Sequence, residues 1–383
     1  MLVSLLVSLV ACGGGPAADR ARAEVQGLLD RRSAALLHHD ATAWARTGTR
    51  TGYTGLSAVP LTAWSYRLTA LHRTGATATA DAELRYRVTG YDKVPVTAGR
   101  TLALSRTADG RWYVNSDRPA ARSGQQLWDQ GRITAVHGRH SLVLGVGTST
   151  ALLRAFAGLA DRAVPAVTGA WGTDWARRVV VLVPRSLEDM AGLLGSPASS
   201  YRGIAAVTTG EAGGSGRTPA DRVIVNPEAY AVLGPAGKQV VLTHETTHVA
   251  TRARTTAATP LWLSEGYADW IGYLGTGRTP AEAAPELWRA VQDGSLPSAL
   301  PADKDFGFTG DATELARAYE GGWLACRMIA AHWGADRLDR FYRAVGARPQ
   351  RAGAVEDALR TVLGTDLTAF TARWRDYLRT QLG

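Results

Sequence analysis

The stretch VVLTHETTHVAT, residues 240–251, sets the tightest constraint on how this chain folds. Its apolar opening, Val240-Val241-Leu242, and the lack of Pro or Gly from Lys238 to Thr251 predict a buried helix. On such a helix His244 and His248, four residues apart, project from one face. Glu245 is turned about 100° around the axis. Two imidazoles and a carboxylate are costly to bury without partners, so the fold around this helix must supply them. One divalent ion would serve both histidines, because zinc accepts neutral imidazole nitrogens at about 2.0–2.1 Å. A carboxylate placed like Glu245 flanks such an ion and reaches a water beside it without being a ligand, as a general base must.

Sixteen residues separate His248 from Glu265, which lies in PLWLSEGYADW, residues 260–270. Together with the H-E-x-x-H helix, Trp262-Leu263-Ser264-Glu265-Gly266-Tyr267-Ala268 resembles the gluzincin peptidases, the group that includes the thermolysin and aminopeptidase families. It matches their W-L-x-E-G-x-A motif at every fixed position. The resemblance implies that Glu265 completes a zinc triad with His244 and His248, leaving one position for water, and that Glu245 is the catalytic base. It also implies a role for Asp269, four residues past Glu265. At that spacing a carboxylate takes the other N–H of a metal-bound imidazole, the competing assignment being a plain surface acid. Tyr319, in AYEGGWLACRMIA, occupies a place similar to the family's oxyanion-stabilising tyrosine, although an ordinary core tyrosine fits the same residues. Gly322 is expected to let that helix come close to the site. Arg222–Asn226 resembles the cleft's edge strand, which in the family pairs with extended substrate, and this places Val225 and Asn226 on the cleft. No G-x-M-E-N exopeptidase signature is present, which favours an endopeptidase.

The other histidines carry less chemistry. His137 and His140 have no acidic neighbour in sequence, His332 suits a helix C-terminus, and His38, His39 and His72 read as surface or packing residues. The formal charge of +9 comes almost wholly from arginine, lysine occurring only at Lys93, Lys238 and Lys304. Basic residues neither cluster in blocks nor interleave with aromatics, which argues against nucleic acid as a partner.

Of the two cysteines, Cys326 sits in an apolar run and reads as a small buried hydrophobe. Cys12 ends MLVSLLVSLVAC, an apolar run too short to span a bilayer but suited to an export signal, residues 1–11. Leu9-Val10-Ala11-Cys12 resembles a bacterial lipobox, although no Lys or Arg precedes the apolar run. That resemblance implies lipidation at Cys12 and a protein held on the extracytoplasmic face of the cell membrane.

Residues 12–20 read as a flexible tether. Val25, Leu28, Leu29, Leu36 and Leu37 then follow helical spacing, and Asp40 suits the N-cap of a second helix carrying Trp44. Alternating strand patterns at Trp64–Ala70 and Ala82–Val88 precede a hairpin about Asp109-Gly110. This order resembles the NTF2-like cone over residues 21–118. A polar linker is expected at 119–136. Residues 137–383 then read as a gluzincin domain, with strands at His140–Val146, Val179–Val183, Gly203–Thr208 and Arg222–Asn226 before an almost entirely helical remainder. The fold class is α+β, and the function expected is zinc-dependent hydrolysis of peptide or protein substrates. The rival is a cell-envelope binding lipoprotein whose metal domain is an inactive scaffold.

Overall fold

A computed structural model describes residues 16–209, 221–307 and 311–383. The expected signal segment and Cys12 lie outside these residues. The fold is mixed α and β, and the chain divides into two compact units between Gly124 and Gln125.

The first unit opens with α1 (Pro16–Leu37), α2 (Ala41–Thr47) and α3 (Tyr53–Leu56). The expected tether gives way to helix at Pro16, four residues earlier than its expected end, because proline at a helix start gives up no hydrogen bond and alanines follow it. Asp40 caps α2 by accepting from the Ala43 amide at 2.8 Å. Four strands follow, β1 (Leu61–Thr74), β2 (Thr77–Val88), β3 (Val96–Arg106) and β4 (Trp112–Pro119), in an antiparallel sheet of that order. Alternation buries Trp64, Tyr66 and Leu68 on β1 and Ala80, Ala82, Leu84 and Tyr86 on β2. Val25, Leu28, Leu29 and Leu36 of α1 are buried as well. Gln26 ties helix to sheet, donating to the Tyr66 carbonyl and accepting from the Leu68 amide.

The second unit contains β5 (Ile133–His137), β6 (Ser141–Val146), β7 (Val179–Val183), β8 (Ala206–Thr208) and β9 (Val223–Val225), ordered β5-β6-β7-β9-β8. β6, β7 and β9 run parallel, while β5 and β8 are antiparallel edge strands. Two expectations need correction here. Residues 125–136, expected as linker, belong to this unit, and β5 begins inside that segment. Only Ile133 of β5 is fully buried, so an edge strand of this kind looks polar in sequence. The strand around Arg222–Asn226 is also not an edge. β9 lies between β7 and β8, and Val225 and Asn226 are fully buried.

Two serine-capped helices accompany the sheet, α4 (Thr150–Trp171), begun by Ser149, and α5 (Leu187–Leu194), begun by Ser186. α6 (Pro227–Ala231) leads into α7 (Pro235–Thr251), and α8 (Leu261–Tyr273) follows. Next come α9 (Pro280–Ala283), α10 (Pro285–Gln292), α11 (Ala312–Trp333), α12 (Ala335–Gly346), α13 (Ala354–Ala358) and α14 (Leu367–Leu382). Their core is built around Trp262, Tyr267, Phe341, Tyr342, Phe370 and Trp374. Glycine sets the contact between α8 and α11: a Cβ on Gly266 would lie 2.2 Å from the Gly322 carbonyl oxygen, and one on Gly322 would lie 2.6 Å from that of Trp262. The Trp262–Ala268 and Tyr319–Gly322 segments are thus held backbone to backbone. Among the described residues no helix is long and apolar enough to cross a membrane.

Candidate metal centre

Two adjacent helices build the site. α7 starts with Pro235 at its first position and carries His244, Glu245 and His248 in its second half. α8 lacks a capping side chain of its own at Pro260, and Asp303 supplies one by accepting from the Leu261 amide at 2.9 Å. Gly272 brings the two helices close, since a Cβ there would lie 3.2 Å from the Val240 carbonyl oxygen. Glu265 is thereby presented to the histidine face of α7.

Three donor atoms converge. His244 Nε2 and His248 Nε2 lie 2.9 Å apart, and Glu265 Oε2 is 3.3 Å from the first and 3.4 Å from the second. Ligands at about 2.0–2.1 Å in a tetrahedron stand about 3.3–3.4 Å apart along each edge, so this triangle is close to one face of a zinc site. The chemistry of the set agrees, with two neutral nitrogens and one carboxylate oxygen. Among the described residues, His244, His248 and Glu265 are the one group of three or more His, Cys, Asp or Glu side chains close enough to share an ion.

Asp269 Oδ1 lies 2.7 Å from His244 Nδ1. A proton held on Nδ1 by this carboxylate turns the Nε2 lone pair toward His248 and Glu265. Burial disfavours a charged imidazole, but Asp269 and the hydrogen bond to Glu265 outweigh it and raise His244 to about 10. Burial likewise works against the Glu265 carboxylate, yet the two histidines hold it well below the usual carboxylate range.

Glu245 is 5% exposed and outside the three-donor group. Its Oε2 accepts from Thr208 Oγ1 of β8 at 2.7 Å. Tyr319, half-buried on α11, has its ring 6.4 Å from that of His244 and 5.2 Å from that of Phe306. The structure thus brings together His244, His248, Glu265, Asp269 and Tyr319, with Glu245 next to His244 on α7 and its carboxylate against Thr208. Val225 and Asn226 serve the fold instead. Val225 is packed in the core between sheet and helices. Asn226 caps α6 by accepting from the Glu228 and Ala229 amides and donates to the Tyr201 carbonyl. His332 stands in the last turn of α11, against the Trp333 ring. Thr208 escaped the sequence reading, its one signal being a hydroxyl at the end of an apolar strand. Comparison with protein-family models gives no match, and comparison with curated proteins gives none.

Proposed function

We propose that this chain is an extracytoplasmic zinc-dependent peptidase of the gluzincin kind, with an NTF2-like first unit and a lipid anchor at Cys12. The observation that carries the reading is the convergence of His244, His248 and Glu265 on one tetrahedral face, with Glu245 buried beside them and outside the group. A structural zinc site has four protein ligands and no use for a base next to them. Three ligands and an adjacent carboxylate suit hydrolysis.

Zinc held there would supply Lewis acidity, polarising a carbonyl and making a water acidic near neutral pH. The remaining work falls to the chain. Asp269 keeps His244 in the tautomer that offers Nε2. The Glu245 carboxylate takes the proton from the attacking water and returns it to the nitrogen of the leaving amine. The Tyr319 hydroxyl is the candidate donor to the oxyanion, its ring lying beside His244.

Glu245→Gln tests the mechanism. The variant should keep its zinc, measured by elemental analysis, and lose at least about a hundredfold of the hydrolysis of a peptide library. Unchanged hydrolysis would remove Glu245 from the reaction. Hydrolysis that survives stripping of the metal by a chelator would remove the metal.

A further inference from the structure

The base itself is held from the sheet. β8 is the outermost strand of its sheet and packs along α7. Strand alternation sends Ala206 and Thr208 to one face and Val207 to the other. The packing follows that division: Ala206 joins the core that contains Leu242 of α7, whereas Val207 joins the separate cluster around Met190 and Ile224. Ala206 and Thr208 therefore step along α7 as Leu242 and Glu245 do. Thr208 is fully buried, and its hydroxyl lies 2.7 Å from Glu245 Oε2 and 3.1 Å from the Glu245 carbonyl oxygen. A hydroxyl has one proton to give, and the shorter, charge-assisted contact is the stronger acceptor.

A second clamp fixes the height of the strand. Arg252, just past the end of α7, donates to the Thr209 carbonyl at 2.9 Å and to Asp221 Oδ1 at 2.8 Å. The Thr209 amide pairs with the Arg222 carbonyl, and the Arg222 amide donates back to Thr209 Oγ1 at 2.9 Å. Thr208 is consequently tied to the helix through its own side chain and through the next residue's backbone.

We infer that Thr208 is a positioning residue for the general base, its Oγ–H fixing one oxygen of Glu245 so that the other is presented to the water being deprotonated. The inference rests on the hydrolytic reading above. A carboxylate free to rotate about its last torsion offers the proton acceptor in the correct direction for only part of the time. A fixed hydrogen bond removes that freedom in the ground state and at the transition state alike. Substrate binding does not pass through this bond. Its loss therefore falls on turnover.

The test measures kcat and KM for one cleaved peptide, with zinc content and Tm, in wild type, Thr208→Val, Thr208→Ser and Glu245→Gln. Thr208→Val keeps the shape and the β-branch but removes the donor. It should lower kcat by about ten- to a hundredfold, with KM within about twofold and zinc content unchanged. Thr208→Ser should recover kcat to within about threefold of wild type. Adding Thr208→Val to Glu245→Gln should change the residual rate by less than about twofold, because the two side chains act as one unit. Wild-type kcat in Thr208→Val overturns the inference. So does a folded Thr208→Ser as slow as the valine variant, or an additive loss in the double variant. If Thr208→Val does not fold, the serine variant and a Thr208→Ala variant decide by the same two criteria. A wild-type protein that holds zinc but hydrolyses no peptide sinks the peptidase reading itself. An active wild type with an inert Glu245→Gln and an unaffected Thr208→Val sinks this inference alone.

Discussion

Each unit buries a cluster of charged and polar side chains, and the two clusters are built on opposite rules. In the first unit Asp117 accepts from Tyr66 at 2.5 Å and from Arg100 Nε at 2.7 Å. Burial, and then the neighbouring Asp117 charge, push the Tyr66 hydroxyl upward, so it stays a donor. Donors meet an acceptor, and the cluster closes on itself. In the second unit three lone-pair carriers, His244, His248 and Glu265, point at one another within 3.4 Å. Lone pairs facing lone pairs need a cation between them, either a proton or, on the proposed reading, a metal ion. The two clusters differ in complementarity: a matched set suits a staple, and lone pairs aimed at one space suit a bound cation.

The largest effect should come from breaking the acceptor set. On the proposed reading, Glu265→Ala removes one of three ligands and the one that carries a charge. Zinc affinity should fall by at least about a thousandfold, measured by competition with a chromogenic chelator, while the fold survives because the neighbouring helices rest on the aromatic core. Wild-type affinity in that variant would exclude Glu265 as a ligand.

The matched set should respond in the other way. Asp117→Asn keeps shape and one acceptor but removes the charge that faces Arg100, whose side chain is 2% exposed. Loss of one partner from a buried pair costs on the order of 3 kcal/mol. Denaturant unfolding of the full chain should show this loss with zinc content unchanged. A loss of zinc would mean that the two clusters are not independent.

Sequence made one of these clusters far more legible than the other. His244, His248 and Glu265 announce themselves because a helix repeat and one motif fix their relative positions, and Asp269 follows at one further helical turn. The helix of Val25 to Leu36 and the alternation of Trp64 to Leu68 were readable for the same reason, as local periodicity records local burial. The rest depends on contacts between distant segments. Whether β8 or β9 forms the edge is decided by strand order, which no local pattern encodes, and the misplacement of Val225 and Asn226 followed from that. β5 was hidden because a half-exposed edge strand needs few apolar residues. Thr208 finds Glu245 across 37 positions, and Tyr66 finds Asp117 across 51, with only a single polar residue in a strand to hint at either.

A third buried carboxylate lies between the two rules and gives the smallest effect. Glu320, on α11, is 8% exposed and accepts from the Glu286 and Leu287 amides at the start of α10. Burial raises its carboxyl to about 7, ahead of the opposing pull of those two amides. Between about 4.5, where the unfolded carboxyl titrates, and about 7, the folded protein holds a proton that the unfolded chain has released. Unfolding then sheds a proton, so the contribution of Glu320 is greatest below that window and declines as pH rises through it. Glu320→Gln stays neutral and can still accept from the amides. The stability of wild type minus that of the variant should therefore fall by roughly 2–3 kcal/mol from pH 5 to pH 8, measured by urea unfolding of both proteins so that every shared titration cancels. A difference that does not move with pH would place Glu320 with Asp117, as a carboxylate already matched by its donors.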